Sequence, residues 1–219
     1  MHGQNPKRPP ETGDGQSLQV VEIFPTLQGE GPFVGHPAVF VRLGGCNLAC
    51  DFCDTEFEDF APLALPDLLQ RIEAQRGAAD LVVITGGEPF RQPIGPFCAA
   101  LLDIGYRVQI ETNGTLYRPV PEGVDIVCSP KVTDGRYHPV RPDLLARASA
   151  LKFIVSATHP DYRTVGEVGQ KGRIVPIYVQ PMDEGDAQKN AANRDHAAQM
   201  AMREGYRLSL QTHKILGIA

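Results

Sequence analysis

The chain has 219 residues and a formal net charge of −5, with 42% hydrophobic and 21% charged side chains, values that suit one globular domain with a real core. The acidic balance excludes a protein built to grip a phosphate backbone, which needs a basic stripe. No run approaches the ~18 apolar residues of a membrane span, and residues 1–16 lack the apolar centre of a signal peptide, so the expectation is a cytoplasmic protein with no nucleic-acid or membrane partner.

In chain order, residues 1–17 (MHGQNPKRPPETGDGQS) are polar and rich in Pro and Gly. Such a segment buries too little apolar surface to offset its ordering entropy, which predicts a disordered tail and leaves 18–219 as a single domain. Short β-branched runs then predict strands at 18–24, 38–43, 81–85, 107–111, 125–128, 151–155, 174–180 and 207–211. Several are continuously apolar (LVVI, DIVC, IYV), as in parallel strands covered on both faces. Helical spacing of apolar residues predicts helices at 63–76, 94–104, 142–150 and 187–204. Alternation of the two element types gives an α/β fold with a largely parallel sheet.

Nearly every polar or Gly-rich motif begins where a strand ends. GGCNLACDFCDT follows AVFVRL, TGGEP follows LVVI, ETNGT follows RVQI, SPK follows DIVC, QPMDEG follows PIYV, and QTHK follows RLSL. Strand C-termini are where both (β/α) barrels and open doubly wound sheets gather their functional groups. Six such motifs point to one shared cavity.

Three of the five cysteines, Cys46, Cys50 and Cys53, fall within eight residues at C-x3-C-x2-C spacing. In a chain without secretory features this pattern favours metal over disulfides. A structural zinc wants four ligands, and no fourth Cys or His is close in sequence. Soft thiolates also suit iron–sulfur clusters, and three cysteines on a four-iron cluster leave one iron open to another ligand. Cys98 and Cys128 lie alone in apolar runs and read as small buried hydrophobes.

The cysteine loop, with Phe52 before its last cysteine, resembles that of the radical S-adenosylmethionine (radical SAM) enzymes, and Thr85-Gly-Gly-Glu-Pro89 resembles their GGEP turn. The resemblance implies a [4Fe–4S] cluster on Cys46, Cys50 and Cys53 whose open iron chelates SAM, yielding a 5′-deoxyadenosyl radical. Within that superfamily, EIFPTLQGEG (residues 22–31) and Cys53-Asp54-Thr55 resemble segments of the 7-carboxy-7-deazaguanine synthases. That finer resemblance runs from about Val20 to the last residue. It implies a lyase that converts 6-carboxy-5,6,7,8-tetrahydropterin to 7-carboxy-7-deazaguanine with loss of ammonia, feeding queuosine and other 7-deazapurines. It also implies Mg2+ held by Thr55, and an electron donor such as a flavodoxin or ferredoxin.

By the same resemblance, SAM is contacted by Phe52, Cys53, Asp54, Gly87, Glu88, Ser129, Pro130, Lys131, Gln180, Pro181, Met182 and Asp183. The substrate is contacted by Leu27, Gln28, Gly29, Arg42, Thr85, Glu111, His213 and Ala219, the last two carried by a C-terminal tail docked over the site. The planar fork of Arg42, at a strand end, suits a bidentate carboxylate contact. The chain is short for eight β/α units, so a reduced TIM-type (β/α) barrel with an open flank is expected, and a homodimer would cover that flank. Two other readings share part of these features: a glycyl-radical activating enzyme with a protein substrate, and a zinc-stabilised binding protein without turnover.

Overall fold

A computed structural model describes residues 5–50, 53 and 55–218. The contacts expected of Phe52, Asp54 and Ala219 therefore fall outside the described residues.

The apolar runs assemble into one nine-stranded sheet. Its strands are β1 (Ser17–Leu27), β2 (Pro37–Leu43), β3 (Ala61–Ala64), β4 (Leu81–Gly86), β5 (Arg107–Thr112), β6 (Val124–Cys128), β9 (Ala150–Val155), β10 (Ile177–Pro181) and β11 (Arg207–Leu208), with a small separate hairpin of β7 (Val132–Thr133) and β8 (Arg136–Tyr137). The spatial order is β11-β10-β9-β6-β5-β4-β2-β1-β3. From β2 to β11 every neighbouring pair is parallel, whereas β1 runs antiparallel to both β2 and β3. Helices α1 (Leu65–Ala74), α2 (Gly95–Asp103), α3 (Pro142–Leu145) and α4 (Ala187–Glu204) fill the crossovers, and α5 (Thr212–Leu216) ends the chain.

Because side chains alternate along a strand, each parallel strand serves two environments. Val39, Val41, Leu43, Val82, Ile84, Val108, Ile110, Ile126, Cys128, Leu151 and Phe153 form the main core with Leu68 and Ile72 of α1 and Phe97 and Leu101 of α2. The alternate positions Arg42, Thr85, Glu111, Lys152 and Gln180 line a cavity on the other face. Among the described residues β11 pairs only with β10 and β3 only with β1, so the sheet forms a partial barrel without closure.

Four local expectations are corrected. Ile174 is fully exposed, and β10 starts at Ile177 because Pro176, which lacks an N–H, precedes the ladder to β9. The helix expected through residue 150 stops at Leu145, since the chain must turn to bring Ala150 beside Val127. The strand expected over 207–211 is only Arg207–Leu208, and the chain past it turns toward Gly29, to whose carbonyl Thr212 N donates. Finally, residues 5–16 are packed rather than disordered: Arg8 N donates to Cys46 O (2.7 Å), Glu11 N donates to Arg91 O (2.7 Å) and Leu65 N donates to Gln16 O (2.9 Å). A polar segment can be ordered by hydrogen bonds to neighbouring loops, a contribution that composition does not register.

Candidate active site

Beyond the C-terminal ends of β2, β4, β5, β6, β9 and β10 lies a cavity of about 440 Å³. Cys46, Cys50 and Cys53 all border it, and so do Thr55, Thr85, Gly87, Glu111, Ser129, Lys131, Lys152 and Gln180. The loop carrying the cysteines leaves β2 and is clamped from below by the turn after β4. Gly87 N donates to Leu43 O (3.1 Å) and Glu88 N donates to Gly45 O (3.0 Å). A Cβ on Gly87 would lie 2.0 Å from Gly45 O, so only glycine permits this backbone-to-backbone contact. The loop after β5 closes another side: Asn113 Nδ2 donates to Asn47 Oδ1 (3.0 Å) and approaches Cys46 Sγ (3.9 Å), and Asn47 Nδ2 donates to Thr115 Oγ1 (2.7 Å).

The donor set fits a cluster. All five cysteines are thiols outside any disulfide. Three of them meet at one cavity, whereas Cys98 and Cys128 are buried in the main core, where burial pushes each thiol up to about 12. Burial likewise pushes Cys46 up to about 12 in the metal-free protein, and bound iron is the charge that would hold a thiolate there. Among the described residues no trio of His, Cys, Asp and Glu converges on the position of a single ion. Three thiols of one loop bordering one cavity suit an iron–sulfur cluster, in which each thiolate takes its own iron.

Glu88 departs from the expected role. It is completely buried and caps the short turn after it: Oε1 accepts from Phe90 N (3.0 Å) and Thr112 Oγ1 (2.7 Å), and Oε2 from Asn113 N (2.7 Å). Burial raises its carboxyl to about 7 despite these donors. The side chain thus ties the GGEP turn to the ETNGT loop, behind the cavity wall. Pro130, Pro181, Met182 and Asp183 also lie outside the lining, Met182 in a small apolar cluster and Asp183 in an ion pair with Lys214 (2.9 Å). Of the residues expected at SAM, Cys53, Gly87, Ser129, Lys131 and Gln180 reach the cavity.

Among residues expected at the substrate, Leu27, Gln28, Arg42, Thr85, Glu111 and His213 line the cavity. Gly29 lies behind His213, whose Nδ1 would be 2.1 Å from a Cβ there. Arg42 is not waiting unpaired: its Nε donates to Glu22 (2.6 Å) and its guanidinium lies over Phe24, leaving the Nη edge to a ligand. At the start of α5, Thr212 N donates to Gly29 O (3.1 Å).

Sequence reasoning missed Lys152, which is buried between two carboxylates, Glu30 (2.5 Å) and Glu111 (2.8 Å). Burial alone would raise the Glu30 carboxyl, but the charge and hydrogen bond of Lys152, with a bond from Gln211, bring it to about 2. At Glu111 burial outweighs the pull of Lys152 and the carboxyl is raised. Gln211 also donates to Glu30, and Gln28 and Gln109 to Glu111, and both carboxylates border the cavity. The signal was a lone lysine in the apolar run ALKFIV.

Comparison with known proteins agrees with this architecture. The model of the Radical SAM superfamily matches residues 40–132. A 7-carboxy-7-deazaguanine synthase from Rickettsia prowazekii is 53% identical over 224 residues, covering 100% of this chain and 96% of the relative. Another from Rhodospirillum rubrum is 46% identical over the full length of both. The crystal structure of QueE from Escherichia coli matches with a TM-score of 0.74 at 28% identity, over 89% of this chain and 93% of that one. Relatives that match this chain from end to end at 46% and 53% identity leave one assignment: the chain belongs to the 7-carboxy-7-deazaguanine synthases, lyases of the radical SAM superfamily.

Proposed function

We propose that this cavity binds 6-carboxy-5,6,7,8-tetrahydropterin beside SAM and converts it to 7-carboxy-7-deazaguanine with release of ammonia. The observation that carries the reading is that the three cysteines share one cavity with both an arginine edge and a lysine-bridged pair of carboxylates. When bound, the [4Fe–4S] cluster and SAM supply a carbon radical able to take hydrogen from an unactivated C–H bond. The chain's own residues bind and orient. The Nη edge of Arg42 receives the pterin carboxylate. Glu30 and Glu111 accept from the N–H groups of the aminopyrimidinone edge. Ser129, Lys131 and Gln180 contact SAM, and His213, held by the Gly29 contact, covers the substrate and excludes water.

Thr55, which borders the cavity two residues beyond Cys53, is the proposed protein ligand for Mg2+, whose remaining positions go to water and substrate. The chain acts as one catalytic unit, cytoplasmic, homodimeric and reduced by a flavodoxin or ferredoxin. Anaerobic incubation with reductant, SAM, Mg2+ and the carboxypterin tests the assignment: 7-carboxy-7-deazaguanine should form in the parent. Alanine at Cys46, Cys50 or Cys53 should abolish it together with cluster iron, while Cys98→Ala and Cys128→Ala keep full iron. Absence of product from a fully loaded protein would refute the substrate. A Mg2+ dependence unchanged in Thr55→Ala would refute the metal ligand.

A further inference from the structure

Among the described residues, the cysteine loop has a small apolar cluster of Cys46, Leu48 and Phe57, with Val21, Cys50 and Cys53 packed against it. Besides the turn after β4, the N-terminal segment makes contacts at both ends of the loop. Lys7 bridges to Cys46, and Arg8 N donates to Cys46 O (2.7 Å). Asn5, itself buried and bordering the cavity, donates from Nδ2 to Thr55 O (2.9 Å). Arg8 Nε donates to Glu58 (2.7 Å), and its guanidinium lies over Phe60 at 5.1 Å.

The segment is in turn fastened to the GGEP side of the site. Arg91, with a side chain only 3% exposed, pairs with Glu11 (2.7 Å) and donates to Gly44 O (2.8 Å) and Pro9 O (3.3 Å). Arg118 donates to the carbonyl oxygens of Glu11, Phe90 (2.9 Å) and Arg91 (3.2 Å). Two arginines therefore serve the backbone of one short segment, an investment that a loose tail would not need. The hydrogen bonds meet the cysteine loop at the residue bearing the first thiol and at the residue two beyond the last.

We propose that residues 5–12 are a built part of the cofactor site, a strap that fixes both ends of the cysteine loop, with Asn5 as the positioning residue for Thr55. The strap sets where the thiolates stand before any metal arrives. This rests on the cysteine loop being the cofactor site and is independent of which substrate enters.

Amide hydrogen exchange of the metal-free protein tests it in the parent, in a variant lacking residues 2–12 and in Asn5→Ala. The deletion should accelerate exchange over residues 45–58 by at least about tenfold, the effect of losing one or two hydrogen bonds, while β5 and β6 keep parental rates. Asn5→Ala, which leaves the rest of the strap in place, should confine the acceleration to residues 55–58. After reconstitution, the deletion variant should lose its visible cluster absorption faster in air and cleave more SAM per product. Parental exchange over 45–58 in the deletion variant overturns the proposal, as does acceleration spread equally into β5 and β6. Parental exchange at 55–58 in Asn5→Ala overturns the assignment to that residue. A wrong substrate would instead appear as absent product with the exchange pattern as described.

Discussion

At Lys152 a single ammonium pulls on two buried carboxyls: Glu30 is held at about 2, whereas at Glu111 burial still prevails. Its ammonium is 2.5 Å from Glu30 and 2.8 Å from Glu111, with all three side chains largely buried. Lys152→Met strands two buried carboxylates, a change that costs about 3–5 kcal/mol. The melting temperature should fall by roughly 10 °C for a chain of this size, and pterin binding should weaken with it. A melting curve like the parent's would show that the carboxylates do not depend on the lysine. Arg42 is a milder case, because its Nε is already taken by Glu22 and its side chain is 20% exposed. Arg42→Ala should remove one charge-assisted contact, about 1.5–3 kcal/mol, so substrate affinity drops roughly ten- to a hundredfold. Arg42→Lys should recover only part, since an ammonium cannot hold Glu22 and a ligand in one plane. Titration with the carboxypterin reads both, and SAM binding should be untouched.

At the scale of elements, the site depends on loops packed so tightly that two glycines leave no room for a Cβ without a neighbour moving. The Cβ of Gly87→Ala would collide with the backbone oxygen of Gly45 at 2.0 Å, and that atom belongs to the base of the cysteine loop. Neither chain can yield without moving Cys46, so reconstituted iron should fall to well below half of the parent's. Gly29→Ala meets His213 Nδ1 at 2.1 Å, the side chain of the docked α5. Here a side chain and a short surface helix can move. Iron and SAM binding should therefore remain, while the Michaelis constant for the pterin rises and SAM is cleaved without product. The two variants thus separate cluster assembly from closure over the substrate; an identical phenotype would contradict the division. The ion pair of Lys214 with Asp183 is half-exposed and adds little to that docking.

Over the whole molecule, carboxyls whose titration is shifted by folding give stability two opposite pH dependences. Glu30, Asp183 and Glu184 are all held near 2: Glu30 by Lys152 against its burial, Asp183 first by its hydrogen bond from Lys214, and Glu184 by Asn193, Thr158 and Ser156 against its burial. Carboxyls depressed on folding stabilise above their unfolded value, about 4, and lose that stabilisation as pH falls toward 2. Glu88, raised to about 7 by burial, works the other way, and its contribution is lost as pH rises from its unfolded value through 7. Denaturant unfolding should therefore show a maximum near pH 4–5, and Glu88→Gln should flatten the decline between pH 5 and 7; an unaltered slope would remove Glu88 from the account. The local chemistry of the chain was legible without coordinates. Continuously apolar runs and strand-end motifs depend only on neighbours in sequence, and they gave the largely parallel α/β sheet and the cavity at its strand ends, while C-x3-C-x2-C spacing gave three candidate ligands. Tertiary structure alone decided that Glu88 faces inward as a clamp, that Arg42 already has a partner, that Lys152 joins Glu30 to Glu111, and that residues 5–16 are ordered. Each of these is a contact between residues far apart in the chain, where burial and a partner's charge, absent from any local pattern, set the role of the side chain.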